Sequence, residues 1–197
     1  PTLRRALREA VAVRDAPTVV RYPKGQVPEP IEAIGRQGEV DVLSRTPGEG
    51  TVRVLVVGVG PFAATAVQVG DRLSDQGIGS TVVDPRWVLP VSADLAELAA
   101  GHDVVVTMED GLAATGAGSA IRDALAERGD FTPVQAHGVP LQFLDHAARA
   151  ELIEELGLRA QDIARECAAV ALGVVASRPE PVPHPHPTPD HHPTPDH

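Results

Sequence analysis

The sequence predicts a small α/β domain, a doubly wound and mostly parallel sheet, and three features predict it. From Val52 onward, strand-sized runs dominated by valine recur at Val52 to Val57, Ser80 to Val83 and Val104 to Met108. Each is followed by a longer stretch whose apolar residues fall at helical spacing, and the first strand-to-helix joint is the tight turn Gly58-Val59-Gly60-Pro61. Strands that are apolar on both sides require cover on both sides, which alternating helices supply.

The elements follow in order. Leu3 to Val13 alternates Leu, Ala and Val with Arg and Glu as a helix does, and Asp15, Ala16 and Pro17 stop it before Thr18, Val19 and Val20, which read as a short strand. Tyr22 to Gly50 carries four prolines and five glycines, and its one strand-like piece is Val40 to Leu43, so it reads as an interdomain connection. The alternation then runs through helices at Phe62 to Gln76, Ser92 to Ala100 and about Gly116 to Glu127. A last strand at Pro133 to Ala136 and helices at Ala147 to Leu156 and Gln161 to Ala171 complete it. From Arg178 the chain is Pro and His in a near repeat, has almost nothing apolar to bury, and is expected to stay extended or disordered.

Composition narrows the function. With 197 residues, 43% of them hydrophobic, the chain can bury one ordinary core, and its net charge of −10 disfavours nucleic acid and anionic membrane as partners. The apolar run from Val52 to Gly60 is broken by Arg53 and is far shorter than the roughly 20 residues that span a bilayer. One cysteine, Cys167, allows no internal disulfide, and no signal peptide opens the chain, so a cytoplasmic location is expected. Cys167 lies among Ala and Ile and reads as a buried small hydrophobe. Five of the eight histidines lie in the Pro/His tail, where a mobile chain makes a poor metal site. The chain opens at Pro1 inside a helical pattern, which suggests a fragment of a longer protein.

Three clusters could carry chemistry. Gly58-Val59-Gly60-Pro61-Phe62-Ala63, with Asp84 ending the next strand, has the spacing of a dinucleotide fingerprint; it equally suits any tight strand-to-helix turn with Pro in the first helical turn. Asp84-Pro85-Arg86-Trp87-Val88-Leu89-Pro90 lies just past a strand end, where ligands of open α/β sheets bind. Arg86 there is either a phosphate or carboxylate partner or a solvated loop charge, and Trp87 is expected in the core. Glu109 at the end of the third strand, before Gly116-Ala117-Gly118-Ser119-Ala120, is either an acid, base or acceptor, or a helix cap.

Taken in order, Arg21-Tyr22-Pro23-Lys24-Gly25, the Asp84 to Pro90 cluster, Glu109-Asp110 with Gly116 to Ala120, Gly138-Val139-Pro140 and Glu155-Leu156-Gly157-Leu158 resemble the end of 1-deoxy-D-xylulose-5-phosphate synthases, in their actinobacterial form. The likeness covers about Pro1 to Val175. It implies a thiamine-diphosphate- and magnesium-dependent transferase that joins pyruvate and glyceraldehyde 3-phosphate with loss of carbon dioxide, feeding isoprenoid, thiamine and pyridoxal synthesis, as a cytoplasmic homodimer. On it, residues 1–26 end the pyrimidine-binding domain, 27–51 are a linker, 52–175 form the transketolase C-terminal domain and 176–197 a disordered tail.

The resemblance also assigns Arg21 and Arg86 to the substrate phosphate, with Tyr22 and Glu109 as structural candidates nearby. It implies no catalytic residue, metal ligand, bound cofactor or NAD site within this chain, which alone should be inactive. The sequence departs from the common pattern at Leu89, Asp110, Ala114, Thr115 and Gln142, which bears on fine active-site geometry. Two rival readings are the same domain of a 2-oxo acid dehydrogenase β subunit and a noncatalytic partner-binding module.

Overall fold

The valine runs pair side by side as parallel strands, because each can then bury both of its faces under helices. The computed structural model describes residues 2–20, 22, 29–50 and 52–176. Helix α1 spans Thr2–Ala12. Strands β1 (Gly35–Gln37) and β2 (Val40–Thr46) form a hairpin, and β3 is Arg53–Gly58. A 3-10 turn over Gly60–Phe62 leads into α2 (Ala63–Ser74), followed by β4 (Gly79–Asp84), α3 (Ala93–Ala100) and β5 (Val104–Leu112). The chain continues with α4 (Ala117–Glu127), β6 (Val134–Val139), α5 (Arg149–Glu155) and α6 (Ala160–Ala176).

The sheet order is β1-β2-β4-β3-β5-β6. β4, β3, β5 and β6 run parallel, and β2 joins the outside of β4 antiparallel, so the mostly parallel, doubly wound expectation holds. Strand alternation divides the core. Val54, Val56, Val82, Val104 and Val106 face one side, where Val69 and Leu73 of α2 and Ile163 and Cys167 of α6 cover them. Leu55, Val57, Val83 and Val105 face the other, under Leu95 and Leu98 of α3 and Ile121 and Leu125 of α4. Each such side chain contributes about 1.5 to 3 kcal/mol when fully buried. Cys167 is fully buried as expected, and burial pushes its thiol up to about 12, which leaves it un-ionised and unreactive at neutral pH.

Three expectations change. The stretch read as a connection, within the expected linker 27–51, carries the β1–β2 hairpin and extends the sheet, because Val40 and Val42 bury against the α3 face. Thr18 to Val20 form no strand; Val19 is exposed and no described strand lies beside it to supply hydrogen bonds. Trp87 is not in the core but 57% exposed. Arg21 and, apart from Ala176 at the end of α6, the expected tail 176–197 with its histidines lie outside the described residues.

Candidate functional site

In an open parallel sheet the loops beyond the carboxyl ends of the strands gather at one rim, and ligands bind there, notably where successive strands are added on opposite sides. Here β4 is added on one side of β3 and β5 on the other, so Gly58, Asp84 and Glu109 mark that rim. The structure places two of the sequence-expected site residues, Arg86 and Glu109, on it.

Arg86 follows β4 at once, and its conformation explains the position of Trp87. Asp84 accepts a hydrogen bond from the Arg86 N–H at 2.8 Å, while the Trp87 N–H donates to the carbonyl of Pro85 at 2.6 Å. This turn holds Arg86 at φ 58°, the left-handed region that non-glycine residues seldom occupy, at a cost on the order of 1 kcal/mol or more. The chain reverses there, so that the Arg86 side chain goes inward, to 7% exposure, and Trp87 and Leu89 go outward. The sequence reading expected Trp87 inside and left Arg86 open between a ligand partner and a solvated loop charge.

The buried guanidinium has partners that the sequence reading did not name. One terminal nitrogen donates to Glu9 of α1 at 2.7 Å and the other to Glu39 of the β1–β2 turn at 3.2 Å. A buried cation needs such anions, since an unpaired charge out of water costs several kcal/mol. Beside it, burial raises the Asp84 carboxyl above its ordinary value, against the Arg86 N–H, which lowers it; Asp41 raises it and the Arg86 charge lowers it.

Glu109 is also buried, but it faces the start of α4. It accepts from the Gly118 N–H at 3.3 Å, and a Cβ on Gly116 would come within 2.3 Å of its carboxylate oxygens. Burial raises its carboxyl, and the N–H groups of Gly118 and Ala117 pull it back. The capping alternative is therefore the one its contacts match. It sits two strands from Arg86, about 10 Å at ordinary strand spacing, so the two do not converge. Tyr22 is exposed.

The Gly58 to Ala63 turn uses its own backbone donors. Val59 N–H bonds to Met108, Phe62 N–H to Val59 and Ala63 N–H to Gly60, leaving fewer of the donors with which a dinucleotide loop cradles a pyrophosphate. Arg149 lies over the Phe62 ring at 5.7 Å and pairs with Asp110 at 2.5 Å, closing the space beside this turn. Among the described residues no group of three His, Cys, Asp or Glu side chains could hold a metal, and no helix is long and apolar enough to cross a membrane.

Comparison with known proteins decides the family. Residues 47–163, more than half of the chain, match the family described as transketolase, C-terminal domain. The chain belongs to that family. The chain is 53% identical over 164 residues to 1-deoxy-D-xylulose-5-phosphate synthase 2 of Streptomyces coelicolor, an alignment that covers 83% of the chain and 25% of that protein. It is 50% identical over 182 residues to the synthase of Leifsonia xyli, covering 91% of the chain and 28% of the relative. For the synthase of Mycobacteroides abscessus the figures are 52% over 164 residues, 83% and 26%. The chain thus spans about a quarter of the length of these curated relatives. Among solved structures it resembles a chain described as a split gene transketolase, inactive beta4 tetramer. The TM-score is 0.65 at 28% identity, over 86% of this chain and 54% of that one.

Proposed function

We propose that this chain is the C-terminal part of a 1-deoxy-D-xylulose-5-phosphate synthase and that it supplies Arg86 to the phosphate of glyceraldehyde 3-phosphate. The observation that carries the proposal is the identity of about half over most of the chain, with Arg86 buried at the ligand-binding rim of the sheet. A planar guanidinium offers paired donors to phosphate, and a dianion beside it would replace one or both carboxylates that hold it here. Arg21, at the end of the preceding domain, is the second phosphate ligand, with Tyr22 a structural candidate near the site. In this reading residues 1–26 end the pyrimidine-binding domain and 52–175 form the C-terminal domain.

Thiamine diphosphate supplies the chemistry at the pyruvate carbon. Its diphosphate and magnesium are held by parts of the enzyme outside this chain. The assembled enzyme is a cytoplasmic homodimer. In this proposal the 2-oxo acid dehydrogenase and noncatalytic readings give way to the synthase, whose relatives match at about half identity.

The test is the ratio of kcat/KM for glyceraldehyde 3-phosphate to that for unphosphorylated glyceraldehyde in the full-length enzyme. A charge-assisted hydrogen bond contributes about 1.5 to 3 kcal/mol, so Arg86→Ala lowers this ratio roughly ten- to a hundredfold and leaves the KM for pyruvate in place. An unchanged ratio removes Arg86 from the phosphate site.

A further inference from the structure

The partner that topology gives to Arg86 is Glu39. β2 and β4 pair antiparallel with Asp41 opposite Asp84 and Val42 opposite Val83. Glu39 lies two residues before Asp41 and Arg86 two after Asp84, so the same register, carried past the end of the ladder, sets Glu39 opposite Arg86. The side chains meet there, with a guanidinium nitrogen donating to Glu39 Oε2 at 3.2 Å.

The turn that carries Glu39 is itself fixed. Gly38 adopts φ 53°, and a Cβ on it would fall 1.9 Å from the Asp94 carboxylate. That carboxylate, in the first turn of α3, accepts the Glu39 N–H at 3.4 Å, so the hairpin tip is tied to α3 as well as to β4. Asp84, on the other side, fixes the Arg86 backbone. Glu9 also reaches the guanidinium, but from α1.

From this geometry we infer that Glu39 is a positioning residue for the Arg86 guanidinium, which the β1–β2 hairpin holds ready for the acceptor phosphate. The inference rests on the assignment of Arg86 to that phosphate. Glu39 keeps one edge of the fork occupied and leaves the edge now held by Glu9 to exchange for the substrate. The requirement is for an acceptor atom in the right place, and a neutral amide oxygen meets it without adding a second negative charge beside the dianion.

Glu39 is 68% exposed, and Glu9 keeps the buried guanidinium paired when Glu39 is removed, so its removal separates positioning from folding. In the full-length enzyme, Glu39→Ala lowers the kcat/KM ratio for phosphorylated over unphosphorylated acceptor by about three- to tenfold, through the KM of glyceraldehyde 3-phosphate, with the melting temperature unmoved. Glu39→Gln recovers most of the lost ratio. Arg86→Ala runs alongside: if it leaves the ratio unchanged, the phosphate assignment itself fails. If Arg86→Ala lowers the ratio while Glu39→Ala equals or exceeds wild type, Glu39 is only a competing charge and the inference is overturned. A fall in melting temperature that accounts for the Glu39→Ala loss, with no recovery in Glu39→Gln, overturns it as well.

Discussion

At the scale of residues, identity and environment parted company most clearly at Arg86 and Trp87. Hydrophobicity alone sends the lone tryptophan inside and the arginine out, and the structure does the reverse because a left-handed turn at Arg86 exchanges their directions. No signal in one sequence announces a non-glycine residue at positive φ. Glu39 and Glu9 were missed for a related reason: exposed-looking glutamates gain meaning only once a buried cation is found beside them. The glycines were more legible. A Cβ on Gly58 would meet Ala66 Cβ at 2.6 Å and Ala63 Cα at 2.9 Å, so the start of α2 packs on β3 only without a side chain there. Gly58→Ala therefore destabilises the domain by about 1 to 3 kcal/mol, read as a lower urea midpoint. Gly35→Ala, with open space at its Cβ and no positive φ, stays within about 0.5 kcal/mol. Equal midpoints for the two variants would show that the turn tolerates a side chain after all.

At the scale of elements, the parallel core could be read because its strands must be apolar on both faces, and Leu55, Val57, Val54 and Val56 supply that pattern without help from neighbours. The β1–β2 hairpin could not. Val40 to Leu43 reads as strand-like, but among prolines and glycines nothing in the sequence shows that it joins the sheet, where it pairs with β4 on one side and β1 on the other. Thr18 to Val20 shows the converse, a run with β propensity and no described strand beside it. Between elements, His102 joins the end of α3 to β4: its Nδ1 donates to Leu98 O at 2.7 Å, and its Nε2 accepts from Thr81 Oγ1 at 3.0 Å. Burial lowers its pKa below 6.5, and Arg53 and Arg45 act in the same direction, while the Leu98 carbonyl and Asp103 oppose. Burial does the same to His137, with Glu166 opposing. A base whose folded pKa is depressed contributes stability that is complete above its unfolded pKa and is lost as pH falls through it. The chain accordingly loses stability from these two groups as pH falls below about 6.5, and His102→Gln loses less over that fall. Asp84 and Glu109, with raised folded pKa values, act oppositely: what they contribute is complete below their unfolded pKa and is lost as pH rises through the folded value. Urea midpoints for wild type and His102→Gln across that range give the comparison, and parallel curves would remove His102 from the account.

At the scale of the whole molecule, the chain spans about a quarter of the length of the curated synthases it resembles, and in the proposed reading it contributes an arginine for the acceptor phosphate while the cofactor is held elsewhere. The family could be read in the sequence because its motifs recur in order, although each alone is weak. Calorimetric titration of the chain alone with thiamine diphosphate and magnesium is expected to show no saturable binding, and micromolar binding would place a cofactor site on these residues. The measurement that bears most directly on the account is product formation by the full-length enzyme supplied with pyruvate, thiamine diphosphate and magnesium. The account predicts carbon dioxide release and 1-deoxy-D-xylulose 5-phosphate when glyceraldehyde 3-phosphate is the acceptor. Transfer of an acyl group to a lipoyl carrier, or of a ketol unit between sugar phosphates, without that product would contradict it.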